Sequence, residues 1–203
     1  GEGEEGFGDS IANFSKLKPL NIYAYSKLLF DQWVLSQKLI GKVAGLRFFN
    51  VYGPNEYHKD EMQSVVVKSF GQIRDNGIVK LFKSYRKEYA DGEQKRDFIY
   101  VRDCTEVMCS LAEKTEINGI FNLGSGKARS WLDLTRAVFS ALEKKENIEF
   151  IEMPSHLKEK YQYFTEAEMG SLQKMLPDWN PRSLEDGVSE YVKSYLVPNK
   201  ACR

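Results

Sequence analysis

Tyr23 and Lys27 stand four residues apart in the stretch "NIYAYSKLLFDQWV". Residues at that spacing share one face of a helix. A phenol titrates near ~10 in water, so it is a poor base at neutral pH. An ammonium beside it favours the phenolate and lowers that value. A tyrosine tuned in this way takes a proton from an alcohol while a neighbouring group takes hydride. The plain alternative is a solvated pair on a helix surface.

The elements around the pair follow from apolar spacing. Residues 20–40 read as a helix, with Leu28, Leu29, Trp33, Leu39 and Ile40 as its core stripe and Gly41 at its end. "KVAGLRFFNVYGP" reads as one buried strand that ends at Gly53-Pro54. A helix followed by a buried strand points to a parallel α/β sheet. Further along, "MQSVVVKSFGQIRDNG" reads as a helix closed near Gly77, "VKLFKS" and "RDFIYVRD" as strands, and "RDCTEVMCSLAEKT" as a helix capped by Asp103. "GIFNLGSG" is a strand with a glycine-rich end, where Gly124 and Gly126 permit a tight turn rather than hold phosphate. A helix capped by Ser130, the strand "IEFIEMP", a polar segment around "KYQYFTEAEMGSLQKML" and a last helix, "SLEDGVSEYVKSYL", complete the pattern.

The totals exclude several function classes. The 203 residues hold 29 Lys plus Arg against 29 Asp plus Glu, so the net charge is zero. Such a balance supplies no general attraction to nucleic acid or to an acidic membrane. No apolar run is long enough to cross a bilayer. Three cysteines, Cys104, Cys109 and Cys202, and two histidines, His58 and His156, show no metal-ligand spacing. The thiols read as inert in a reducing compartment, and no metal site is expected. The acidic, glycine-rich start "GEGEEGFGDS" is unlike a signal peptide, and its carboxylates would repel phosphate.

The order of motifs adds a resemblance. "YAYSK", "RFFNVYGP", "GPNEYHKDEM", "KLF", "QKRDFIYV", "GIFNLGSGKARS" and "EKYQYFTEA" follow one another in the chain. From Pro19 to Leu196 this series resembles the extended short-chain dehydrogenase/reductases that act on nucleotide sugars. Within them it is most similar to the enzymes that epimerise the sixth carbon of ADP-linked heptose for the lipopolysaccharide core. The resemblance implies an isomerase with NADP as cofactor, NAD being the other possibility, in a cytoplasmic homo-oligomer, pentameric in the family. It implies no nucleic-acid or membrane partner. Another nucleotide-sugar enzyme of the family, a 4-epimerase or 4,6-dehydratase, is the nearest alternative. A catalytically silent binding or scaffold member is the alternative from a different class. The family's amino-terminal half, with its phosphate turn and its catalytic Ser or Thr, has no counterpart here, so the chain is expected to be a carboxy-terminal fragment that does not turn over alone.

Residue by residue, the resemblance makes Tyr23 the proton-transfer group, with Lys27 holding the cofactor ribose. Inversion of a carbinol carbon by oxidation and reduction requires the ketone to present both faces to one hydride carrier. One fixed tyrosine cannot reach the oxygen in both orientations, because proton transfer needs hydrogen-bond contact. The family's second base is a lysine in the loop after Y-G-P, here Lys59, which also lies at the cofactor. The bland reading of Lys59 is a solvated loop charge, and His58 is the alternative base. Val51 is expected against the cofactor. Asn50, Phe82, Arg96 and Tyr161 are expected at the substrate, with Arg96 on the diphosphate, where a fork of donors suits the oxygens. The alternative for Arg96 is a surface ion pair with Asp97. Glu61 and Lys68 fall at substrate positions but depart from the family's small polar residue and histidine.

The expected fold is α/β: the carboxy-terminal part of a Rossmann-type parallel-sheet domain plus a smaller α/β substrate-binding domain. Residues 1–48, 100–126 and 176–203 are assigned to the first, and 49–99 and 127–175 to the second, with the site in the cleft between them.

Overall fold

The computed structural model describes Gly8 and residues 17–19, 21–158 and 161–199. The acidic stretch at 1–7 and Cys202 lie outside the described residues. In chain order the elements are α1 (Ile22–Ser36), β1 (Ala44–Phe48), β2 (Asn50–Tyr52), a 3-10 turn (Tyr57–Met62), α2 (Val65–Asn76), β3 (Val79–Phe82), β4 (Lys95–Tyr100), α3 (Val101–Glu113), β5 (Gly119–Leu123), β6 (Ala128–Ser130), α4 (Trp131–Ala141), β7 (Ile148–Ile151), α5 (Ser155–Lys158), α6 (Gly170–Met175) and α7 (Leu184–Tyr191), which runs on into a π turn over Val192–Leu196. Among them, no helix is long and apolar enough to cross a membrane.

Local chemistry explains most of the ends. The Asn21 side chain accepts the Ala24 amide at 2.8 Å and opens α1. The helix stops earlier than the apolar stripe suggests, because Lys38 turns into the left-handed region with φ 56° before Gly41 is reached. Gly77, with φ 70°, closes α2 and returns its amide to the Ile73 carbonyl. Ser130 and Asp133 form a reciprocal capping box on α4. Asp103 does not cap α3. It sits inside the first turn and accepts from the Arg182 amide at 3.1 Å and from the Arg182 guanidinium.

The strand expected over "KVAGLRFFNVYGP" is broken at Phe49. β1 pairs in parallel with β5, whereas β2 pairs in parallel with β4, and β4 pairs antiparallel with β6. The Phe49 amide donates to the Leu123 carbonyl at 3.0 Å, the last bond before the chain changes partners. β3 and β7 form a separate parallel pair.

β4 is the wall between two cores. Successive side chains on a strand point to opposite faces. Ile99 faces a core built from Cys104, Val107, Leu111, Phe121, Leu123, Leu172 and Leu176. Phe98 and Tyr100 face the other, built from α2, α4 and α7 through Val66, Phe70, Ile73, Leu134, Val138, Val188 and Tyr191. α6 joins the first core and α7 the second. Both placements follow from buried apolar faces: Leu172 on α6, and Leu184, Val188 and Tyr191 on α7.

α7 comes close because residue 187 is glycine. A Cβ there would collide with the Tyr52 hydroxyl, which donates to the Leu184 carbonyl at 3.4 Å. Alanine is normally the better helix residue by ~1 kcal/mol. Gly187→Ala is nevertheless expected to destabilise the fold by about 1–3 kcal/mol through overpacking. Adding Tyr52→Phe, which removes the colliding oxygen, should recover part of the lost melting temperature in thermal denaturation.

Candidate active site

α1 places Tyr23 and Lys27 on one face, as their spacing requires. The Lys27 ammonium lies 4.9 Å from the Tyr23 ring centroid. Tyr23 is 73% exposed, so water reaches the pair in this structure. The helix is anchored from below by Leu28, packed on Ile120, and by Asp31, which accepts from Arg47 on β1 at 2.7 and 2.9 Å. Its outward side is also apolar: Ile22, Tyr25, Leu29, Phe30 and Trp33 are exposed.

The second group gathers around Asp97 on β4. Its carboxylate is fully buried and accepts from the Ser125 amide at 2.6 Å, the Ser125 hydroxyl at 2.7 Å, and the Gly126 and Ala167 amides at 2.9 Å each. Its own carbonyl accepts the Asn50 side-chain amide at 3.1 Å. Burial pushes the carboxyl above its ordinary value, and the surrounding amides pull the other way. The "NLGSG" turn therefore does bind an anion through backbone N–H groups, and that anion is Asp97. Gly124 is needed for closeness, since a Cβ there would lie 2.7 Å from both the Asp97 carboxylate and the Ala167 Cβ.

Arg96 points the other way. Neighbours on a strand face opposite sides, so the surface ion pair with Asp97 does not form. Arg96 is 8% exposed and donates to the Lys95 carbonyl at 2.8 Å and to the Gln162 carbonyl. The Tyr161 and Trp131 rings flank its guanidinium, with centroids 5.5 and 5.7 Å away. Among the described residues no carboxylate pairs with it. Burial pushes the guanidinium below its ordinary value.

Tyr161 is joined to the rest by Tyr163, a residue the sequence reading missed. The two rings meet edge to face at 5.6 Å, as side chains two apart on an extended segment can. The Tyr163 hydroxyl accepts the Tyr85 amide at 2.9 Å, and the Arg86 guanidinium lies 4.6 Å from its ring centroid. Phe82, half-buried at the end of β3 opposite Ile151, leads directly into this loop. The alternating Tyr161-Gln162-Tyr163 was the available signal for the missed residue.

The third group lies past Gly53. A cavity of about 380 Å³ is lined by Val51, Gly53, Pro54, Lys59, Arg102 and Tyr195, among others. Lys59 and His58 are both exposed on the turn after Pro54. The Lys68 ammonium donates to the Glu61 carbonyl at 2.6 Å and lies 3.8 Å from its carboxylate. The two residues that depart from the family pattern thus answer each other's charge. No cluster suited to a metal ion occurs among the described residues.

The description of the NAD dependent epimerase/dehydratase family matches residues 1–124. The chain belongs to that family. The epimerase/dehydratase relatives include the ADP-L-glycero-D-manno-heptose-6-epimerase of Nitratidesulfovibrio vulgaris, 52% identical over 197 residues, covering 97% of this chain and 61% of the relative. The enzyme of the same name from Fusobacterium nucleatum is 46% identical over 206 residues, covering 97% of this chain and 62% of its own length. The crystal structure of the Helicobacter pylori ADP-L-glycero-D-manno-heptose-6-epimerase superposes with a TM-score of 0.73 at 31% identity, over 87% of this chain and 52% of that one. The α/β architecture with parallel strand pairs is accordingly the Rossmann-like fold of the epimerase/dehydratase family. The chain spans about three-fifths of the length of these two curated relatives.

Asp97→Asn tests the hub. An amide presents N–H groups where the carboxylate receives them and strands several donors. Bonds to charged groups contribute about 1.5–3 kcal/mol each, so a loss on the order of 3 kcal/mol is expected. In thermal unfolding this reads as a fall of roughly 6–12 °C.

Proposed function

We propose that the protein inverts the sixth carbon of an ADP-linked heptose by transient oxidation, with NADP as cofactor. The single observation that supports an epimerase reading is a phenol and an amine suited to proton transfer on separate elements, Tyr23 on α1 and Lys59 on the turn after Pro54. The names of the curated relatives supply the substrate.

The residues fit a nicotinamide cofactor. Val51 and Lys59 share the rim of a cavity of about 380 Å³, and the exposed Lys27 ammonium is accessible to a ribose hydroxyl. When bound, the cofactor accepts and returns hydride. Tyr23 takes the carbinol proton in one orientation of the sugar. Lys59 holds or supplies the proton at the same oxygen once the ketone has turned over. Cover from substrate and cofactor excludes water from the Tyr23–Lys27 pair and strengthens the electrostatic interactions there.

Arg96 takes the diphosphate. A buried cation held only by neutral carbonyls is short of negative charge, and an anionic ligand supplies it. Phe82 packs the nucleotide, Asn50 and Tyr161 contact the substrate, and Glu61 and Lys68 act at the edge of the sugar site. Assembly into a homo-oligomer belongs to the same reading.

The test is kinetic, in the gene product that contains residues 1–203. Tyr23→Phe should lower kcat by on the order of 10²–10⁴-fold without loss of fold. Lys59→Met should lower kcat with KM nearly unchanged, whereas Arg96→Met should chiefly raise KM. A Lys59→Met enzyme with raised KM and normal kcat would reduce the lysine to an attractor of the diphosphate.

A further inference from the structure

The turn that carries Lys59 is held at both ends and distorted in the middle. Glu56 is 4% exposed, and its carboxylate accepts the Ser64 amide at 2.6 Å and the Ser64 hydroxyl at 2.7 Å. Ser64 is the N-cap residue of α2, yet its own side chain makes no capping bond. The Glu56 carboxylate caps the helix instead, where the positive end of the helix dipole favours an anion. The Glu56 carbonyl accepts the Lys59 amide at 3.0 Å. From the far side, the Gln63 side-chain amide donates to the Tyr57 carbonyl at 3.0 Å and Lys68 donates to the Glu61 carbonyl at 2.6 Å.

Between these clamps Asp60 adopts φ 43° and ψ −116°. That combination is strained for any residue but glycine. Strain of this kind persists only where the surroundings over-determine the backbone. Here it turns the peptide immediately after Lys59, and so sets the direction from which Lys59 meets the cavity beside Val51 and Gly53.

We propose that the Glu56–Ser64 clamp and the strained Asp60 peptide position Lys59 for proton transfer, which makes Glu56 and Asp60 positioning residues of the reaction. The proposal rests on the reading of Lys59 as the second proton-transfer group. It assigns no substrate contact to either residue. The Asp60 carboxylate itself is dispensable in this account; the backbone twist is what matters.

Asp60→Gly and Asp60→Pro separate positioning from stability. Glycine takes φ 43° without strain and leaves Glu56, Gln63 and Lys68 in place, so it keeps the twist. The melting temperature should rise by roughly 2–4 °C, while kcat and KM stay within about twofold of their starting values. Asp60→Pro, whose ring fixes φ at about −65°, removes the twist and should lower kcat by about 10–100-fold with KM within about twofold of its starting value. Asp60→Ala keeps the twist and removes the carboxylate, and should retain kcat. Glu56→Gln should speed amide exchange over residues 57–63 by about tenfold or more and lower kcat.

Lys59→Met, run in parallel, distinguishes the failures. An inactive Lys59→Met beside a fully active Asp60→Pro overturns the positioning alone. A fully active Lys59→Met overturns the positioning and the reading beneath it together. A melting temperature that falls in Asp60→Gly overturns the claim that the twist is strained.

Discussion

One buried carboxylate holds three separate stretches of chain in register. Asp97 lies on β4, the strand that divides the two cores, and its side chain collects donors from Ser125, Gly126 and Ala167. Its backbone fixes Asn50 on β2. With Asp97 satisfied, the segment through Tyr161 and Tyr163 is drawn against β4, and the Gln162 carbonyl meets Arg96 on the opposite side. A buried charge is tolerated only when it is well bonded, so these segments are committed to one arrangement. Arg96 is the deliberate opposite. Its neighbours among the described residues are the Lys95 and Gln162 carbonyls and the Tyr161 and Trp131 rings, which orient the guanidinium without a carboxylate beside it.

The parts of the molecule that were legible in the sequence are those decided by neighbours in the chain. Gly77 ends α2 and Ser130 with Asp133 opens α4 because a left-handed residue and a capping box act over one turn. The strand break at Phe49 was not legible: both halves are apolar, and only the choice of partner, β5 or β4, separates them. The packing of α6 and α7 escaped for the same reason. Their apolar faces are plain in sequence, but which core they meet depends on fits such as Gly187 against Tyr52.

The candidate site divides along the same line. Tyr23 and Lys27 share a face by spacing alone, whereas the separation of Arg96 from Asp97 needed the strand pleat rather than the charge pattern. Glu56 carried no sequence signal at all, because its role arises only where α2 begins beside it. The mutual engagement of Glu61 and Lys68, seven residues apart, replaces an apparent conflict of charge with a local pair.

The central claim is that Tyr23 and Lys59 serve opposite orientations of one carbonyl. An aldehyde analogue of the substrate tests it most directly, because one molecule can be oxidised while another is reduced and no inversion is required. In the gene product containing this chain, Tyr23→Phe and Lys59→Met should each slow a different half of that dismutation. An enzyme in which both variants lose the same half, or in which Lys59→Met leaves both halves and the epimerisation intact, would contradict the account.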